Sequence, residues 1–202
     1  MSLVEDVRTI QRAVGAEVDG VFGPESARKV LEHLARVELV APVGETPTLL
    51  DARTVATIAT LDAKAQPVFH EFALRAKATA ATFGCDYVAI SGNRSWEEQD
   101  ALYARGRTAL GGIVTNAKGG QSNHNFGIAA DFAVFYGKVY ADETKPGLAA
   151  AVHAACAVHA RELGMDWGGD WKALKDTPHF ELRTGLTLAQ KRNVYQARGS
   201  VL

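Results

Sequence analysis

Apolar residues recur along this chain in several rhythms, and each rhythm predicts a different kind of element. Val4, Val7, Ile10 and Val14, and later Ala27, Val30, Leu31 and Leu34, are spaced three to four residues apart, the period of one helix face. Between the two runs lies Asp19-Gly20-Val21-Phe22-Gly23-Pro24, a turn whose Pro24 suits the first turn of a following helix. A helix, a tight turn and a second helix are therefore expected over residues 3–36, and Ala41-Pro42-Val43-Gly44-Glu45-Thr46-Pro47 reads as a linker. Beyond it, alanine-rich stretches over residues 67–83 and 147–163 predict two long helices, and Asp86-Tyr87-Val88-Ala89-Ile90 predicts a strand. Residues 128–135 are apolar apart from Asp131, the pattern of a buried strand carrying one carboxylate. Its end, with Lys138-Val139-Tyr140, predicts a hairpin turning at Tyr136-Gly137. Ser95 and Glu98 form a capping box opening a helix that carries Gln99 and Tyr103, and Thr187 starts a final helix. Few short strands mixed with helices predict an α+β fold, a small antiparallel sheet flanked by helices. On this reading residues 1–45 are a helical segment with its linker, and residues 46–202 form the main domain. Residues 106–121, with two Gly-Gly pairs, are too long for a mere connector and are expected to wall a cleft.

The candidate chemistry begins with His124 and Asp131, seven residues apart in Ser122-Asn123-His124-Asn125-Phe126-Gly127-Ile128-Ala129-Ala130-Asp131. No regular element brings both onto one metal ion. On an unbroken strand an odd separation puts them on opposite faces, and on a helix they stand roughly 10 Å apart. The chain must bend, and Asn125-Phe126-Gly127 supplies residues that tolerate a bend. A lone acid in an apolar strand is costly unless paired or bound to metal, so Asp131 is either a metal ligand or a buried carboxylate satisfied by backbone amides. Further along, Pro178 prevents a helix through Asp176-Thr177-Pro178-His179-Phe180-Glu181, which reads as a turn entering a short strand with His179 and Glu181 on one face. Two histidines and one aspartate leave a fourth tetrahedral position free, the mark of a catalytic zinc. Asp176, across the turn from His179, stands where a general base for a metal-acidified water belongs.

Four blocks of the chain, in order, resemble the VanY-type zinc peptidases, which include D-alanyl-D-alanine carboxypeptidases and the L-alanyl-D-glutamate endopeptidases of phage endolysins. They are Ser91-Gly92-Asn93-Arg94-Ser95 with Gln99, Leu102 and Tyr103; Ser122 to Asp131; Trp167-Gly168-Gly169-Asp170-Trp171; and Asp176 to Glu181. The resemblance covers about residues 50 to 182. It implies zinc held by His124, Asp131 and His179, Asp176 as the base, and Arg94 as a substrate contact that stabilises charge on the scissile carbonyl oxygen. A permanently charged guanidinium with fixed donors suits that role, although a surface ion pair is the plainer reading. Ser122 matches a position near the site and is either a substrate contact or a turn residue; Gln99 supports the site or simply packs. Glu181 is a plausible acceptor for the free N–H of a ligand histidine. The Asp-x-x-His at Asp176 to His179 and the tryptophan block resemble the endopeptidases. One departure is Asn93, where an aromatic residue is common. Ile10 to Gly15 with Val18 to Pro24 is also similar to the helical repeat that binds peptidoglycan beside many wall hydrolases, against a purely structural helical hairpin.

Composition adds limits. The chain has 202 residues, 47% of them hydrophobic, enough for one good core and a small appendage. A net charge of -1 argues against nucleic-acid binding and gives no general attraction to an anionic wall. The first twenty residues are too polar for an export core or a membrane span, so synthesis in the cytoplasm and action at the wall after release are expected. A monomer is expected. Cys85 and Cys156 fit neither a zinc spacing nor a disulfide framework. His159 shares a helical face with Leu148, Val152, Cys156 and Leu163 and reads as a core histidine, while His33, His70 and His153 lie on predicted helices without a partner motif. The expected function is a zinc-dependent L-alanyl-D-glutamate endopeptidase acting on peptidoglycan stem peptides, with a D-alanyl-D-alanine carboxypeptidase on the same scaffold, or a non-catalytic wall-binding protein, as the alternatives.

Overall fold

The computed structural model describes residues 49–173 and 175–202, and in the N-terminal region Arg8, Gln11, Arg12, Ala16 to Asp19, Val21, Glu25 and Lys29. The chain divides into two compact units, Met1–Pro47 and Thr48–Leu202. In the first, the buried Gln11 amide donates to Asp19 Oδ1 (2.7 Å) and to the Val21 carbonyl (3.1 Å), while the Val21 N–H donates to the same Asp19 oxygen (2.8 Å). This clamp ties Gln11 to Asp19 and Val21, the described residues of the predicted turn. The apolar helix positions from Val4 to Leu34, Pro24, His33 and the 41–47 linker lie outside the described residues.

In the second unit the helices are α1 (Ala52–Ala59), α2 (Gln66–Thr82), α3 (Trp96–Ala104), α4 (Ala141–Thr144), α5 (Pro146–Glu162) and α6 (Leu188–Arg198). The strands are β1 (Asp86–Ser91), β2 (Ala129–Tyr136), β3 (Val139–Tyr140), β4 (Met165–Trp167) and β5 (His179–Leu182). They form one antiparallel sheet in the order β1-β2-β5-β4, with β3 paired to β2, so the fold is α+β as expected. Local chemistry explains the ends. Pro67 and Pro146 sit in the first turns of α2 and α5, where a missing N–H costs nothing, and capping boxes at Ser95 and Thr187 open α3 and α6.

One face of the sheet is the core. Tyr87, Phe132 and Phe180 point into it and meet Phe72 of α2, whose ring centroid lies 5.1 Å from Phe132 and 4.6 Å from Phe180. Alanines on α2 (Ala73, Ala76, Ala80) and α5 (Ala149, Ala157, Ala160) are buried there, and their small side chains let both helices lie close. The other face of β2 and β5 carries Asp131, His179 and Glu181. A bulge at Ile90 makes this possible on β1: Ala89 pairs with Phe132 on the core side, yet Ser91 pairs with Asp131 on the opposite side.

Several features depart from the sequence expectations. Helix α1, capped by Asp51, and strand β4 carry patterns too short to register. His153 is fully buried and partnered, joining Tyr87 Oη (2.7 Å) to Asp142 Oδ1 (2.7 Å), while Asp142 Oδ2 accepts the Val134 N–H. His159, expected in the core, is only half-buried and meets Thr79 at 2.8 Å. Cys85 and Cys156 are buried free thiols, and burial pushes Cys156 up to about 12.

Candidate metal centre

His124 reaches the centre from a one-turn 3-10 helix, Asn123–Phe126, and Asp131 from the middle of β2. The bend between them is made by Gly127 at φ 66°, a left-handed conformation that favours glycine. A Cβ there would also stand 2.6 Å from the Asp62 backbone nitrogen. His179, the first residue of β5, pairs directly with Asp131, so their side chains rise from the same face. The result is a cluster of three donor atoms. His124 Nε2 lies 3.2 Å from Asp131 Oδ1 and 3.3 Å from His179 Nδ1, and His179 Nδ1 lies 3.1 Å from Asp131 Oδ1. Ligands at roughly 2.0–2.1 Å from a tetrahedral zinc stand about 3.3–3.4 Å from one another, so the trio matches one face of such a tetrahedron. Among the described residues this is the group able to hold a metal ion.

The opposite ring nitrogens are anchored. His124 Nδ1 donates to the Gly92 carbonyl at 2.7 Å, and His179 Nε2 donates to Glu181 Oε2 at 2.8 Å. Each bond commits one ring nitrogen and leaves the other facing the cluster, where it bonds Asp131 when protonated and can bind a metal once deprotonated. Asp131 is satisfied by these rings rather than by backbone amides. Burial pushes its carboxyl up, but His124 and His179 outweigh burial and hold it well below the usual carboxylate range.

Asp176 lies in the turn before β5, its carbonyl accepting the His179 N–H at 3.2 Å. Burial and the Asp131 charge raise its carboxyl above the ordinary value, against a smaller lowering by His179 and His124. Among the described residues, no side chain donates a hydrogen bond to that carboxylate. The tryptophan block explains how the turn is held. Trp167 Nε1 donates to the Thr177 carbonyl at 2.8 Å, and Gly168 accepts the Asp176 N–H at 3.1 Å. A Cβ on Gly168 would strike the Asp176 carbonyl oxygen. Trp171, part-exposed, lies with its ring 5.0 Å from that of His179.

Arg94 sits over the third side. Its Nη2 is 4.0 Å from Asp131 Oδ2 and donates to Ser91 Oγ at 2.9 Å, while Nη1 donates to Gln99 Oε1 at 2.7 Å. Gln99 is buried and also donates to the Ala117 carbonyl (2.8 Å) and Thr115 Oγ1 (3.3 Å). Ser122 acts as a turn residue, its Oγ accepting the His124 N–H at 3.4 Å. Two clefts of about 670 and 480 Å³ open beside the Ser91–Trp96 segment, and Arg94 lines both; the three donors line neither. Residues 106–121 line neither as well. That loop folds onto α3 through Gln99 and through Asp100, which accepts the Gly119 N–H. Sequence reading assigned no site role to Ser91, to the Gly92 carbonyl or to the Asn125 side chain, whose buried amide bonds both Arg94 O and the Gly120 N–H. A backbone acceptor leaves no sequence mark, and an asparagine in a turn has an adequate local explanation already.

The family profile described as D-alanyl-D-alanine carboxypeptidase matches residues 115–182. The chain is 44% identical over 120 residues to the peptidoglycan L-alanyl-D-glutamate endopeptidase CwlK of Bacillus subtilis (strain 168), covering 57% of this chain and 72% of that protein. It is also similar to the crystal structure of the Serratia marcescens L-Ala D-Glu endopeptidase ChiX, with a TM-score of 0.47 and 26% identity over 66% of this chain and 89% of that one. The chain therefore belongs to the metallopeptidase family of the D-alanyl-D-alanine carboxypeptidases and L-alanyl-D-glutamate endopeptidases.

Proposed function

We propose that this protein is a zinc-dependent endopeptidase that hydrolyses the L-alanyl-D-glutamate bond of peptidoglycan stem peptides. The observation that carries the reading is the trio of donor atoms 3.1 to 3.3 Å apart, with Asp176 in the adjoining turn, its carbonyl accepting the His179 N–H. A zinc ion bound there supplies Lewis acidity toward water and the scissile carbonyl. Asp176 accepts the proton of the attacking water and returns it to the leaving amine; its raised pKa brings it nearer the range where both transfers are feasible. The Arg94 guanidinium, fixed by Gln99 and Ser91, meets the negative charge that grows on the carbonyl oxygen.

The choice of bond is supported by the relation to CwlK, whereas the description of the matching profile favours a D-alanyl-D-alanine carboxypeptidase. Mass spectrometry of purified peptidoglycan after digestion separates them. New N-terminal D-glutamate or D-isoglutamine ends are expected; release of free D-alanine alone would support the carboxypeptidase, and no cleavage at all would refute catalysis. The same reading gives residues 1–45 a wall-attaching role, supported by the resemblance to the peptidoglycan-binding repeat and the Gln11–Asp19 clamp. Asp19→Ala is expected to weaken co-sedimentation with insoluble walls, and unchanged sedimentation would refute that role.

A further inference from the structure

We infer that Lys191 is a positioning residue for the metal centre, acting through Asn123 and Glu181 on the ring of His179. The inference rests on the reading of His124, Asp131 and His179 as metal ligands. Lys191 projects from α6 and is buried, only 7% exposed, with Nζ donating to Asn123 Oδ1 at 2.9 Å. A buried ammonium is costly unless a negative charge answers it. Two carboxylates bear on Lys191, Glu181 and Asp166. These are paired across β4 and β5, where like charges repel. Arg183 takes Asp166 at 2.6 Å, which leaves Glu181 as the carboxylate whose charge reaches Lys191, through Asn123 and not by a direct ion pair. Glu181 in turn accepts the His179 Nε2 hydrogen.

Asn123 makes the arrangement effective on both sides of the cluster. It is the first residue of the 3-10 turn that carries His124, and the Lys191 ammonium holds its side chain on the Glu181 side. Lys191 thus steadies the turn beneath one ligand and the carboxylate behind another. Helix α6 meets this segment twice more, with Arg192 Nη1 donating to the carbonyl of Gly120, three residues before the turn, at 3.3 Å, and Tyr195 packing 5.5 Å from the Phe126 ring within it. All three contacts come from residues beyond the 115–182 span that the family profile covers.

The test is zinc titration of the metal-stripped full chain in competition with a chromophoric chelator. Outer partners of ligand histidines typically contribute tenfold or more in metal affinity, so Lys191→Met is expected to bind zinc about tenfold more weakly. Lys191→Arg is expected to recover most of that loss. If Lys191 works through Glu181, the loss is not additive, and Lys191→Met in a Glu181→Gln background adds less than about twofold. Should Lys191→Met not fold, Asn123→Ala carries the same expected loss. Parental affinity in Lys191→Met, or in Asn123→Ala where the former does not fold, or an undiminished further loss in the Glu181→Gln background, overturns the inference while leaving the metal site intact. A parent protein that binds no zinc overturns the site reading and this inference together.

Discussion

His124 and His179 offer different ring nitrogens to the same cluster, Nε2 and Nδ1, because the opposite nitrogen of each is already committed, one to a backbone carbonyl and one to Glu181. Protons and metal therefore compete for one atom of His179. Burial lowers the pKa of this ring, yet hydrogen bonds and charge from Asp131 and Glu181 raise it to about 9 in the metal-free protein. Below that value a metal ion must expel a proton, so zinc affinity is expected to rise with pH by up to about tenfold per unit and to level off above it. Affinity that is flat between neutral pH and the plateau would contradict this; competition titrations across that range decide it. Asp176 is expected to act on the reaction and not on the metal: Asp176→Ala should keep full zinc content by elemental analysis while turnover falls about 10²- to 10⁴-fold. Unchanged hydrolysis would remove Asp176 from its role. At this scale the clustering of the three donors was readable in the sequence, since an aspartate in an apolar strand demands an explanation. What orients them was not, because Gly92 contributes only a carbonyl and Lys191 lies far along the chain.

The elements work as brackets that hold these residues in register. The 3-10 turn, Gly127 and strand β2 convert a seven-residue separation into donor atoms 3.2 Å apart. Gly127→Ala would place a Cβ in the left-handed region and against Asp62, at a cost of at least about 1–2 kcal/mol. The expected result is a lower unfolding midpoint together with weaker zinc binding, both measurable on one purified variant; a drop in neither would show that the turn relaxes freely. On the opposite face of the sheet, His153 ties α5 to β1 and, through Asp142, to β2. His153→Phe leaves Tyr87 Oη and the Asp142 carboxylate short of a buried partner and is expected to destabilise by about 2–5 kcal/mol in denaturant, with zinc affinity nearly retained. Equal loss of metal would instead mean that the two faces are coupled. Helices α2 and α5 and strand β5 could be read from their patterns, whereas α1 and β4, of 8 and 3 residues, gave too few periods. His153 was missed because an alanine-rich helix has no clear apolar stripe, so its buried side is fixed by what the sheet presents to it.

For the whole molecule, the metal is expected to be part of the folding free energy, since three donors from two strands and a turn meet only in the folded chain. Chelation should therefore lower the thermal midpoint and abolish hydrolysis, and added zinc should restore both; at a thousandfold excess over the dissociation constant the metal contributes about 4 kcal/mol. An unchanged midpoint after verified metal removal would contradict the site as read. The sequence could yield the α+β class but not the strand order, because β5 inserts between β2 and β4 through long-range pairing that no local pattern encodes. The extra residue at Ile90 has a consequence for how this protein can change. Up to Ala89 the chain obeys the demands of the core, and from Ser91 onward it answers to the cleft, so variation can accumulate on one side without penalty on the other. Exposed positions past the bulge, Asn93 and Glu97, line the cleft of about 670 Å³, so substitutions there are expected to reshape that cleft while the sheet beneath stays as it is.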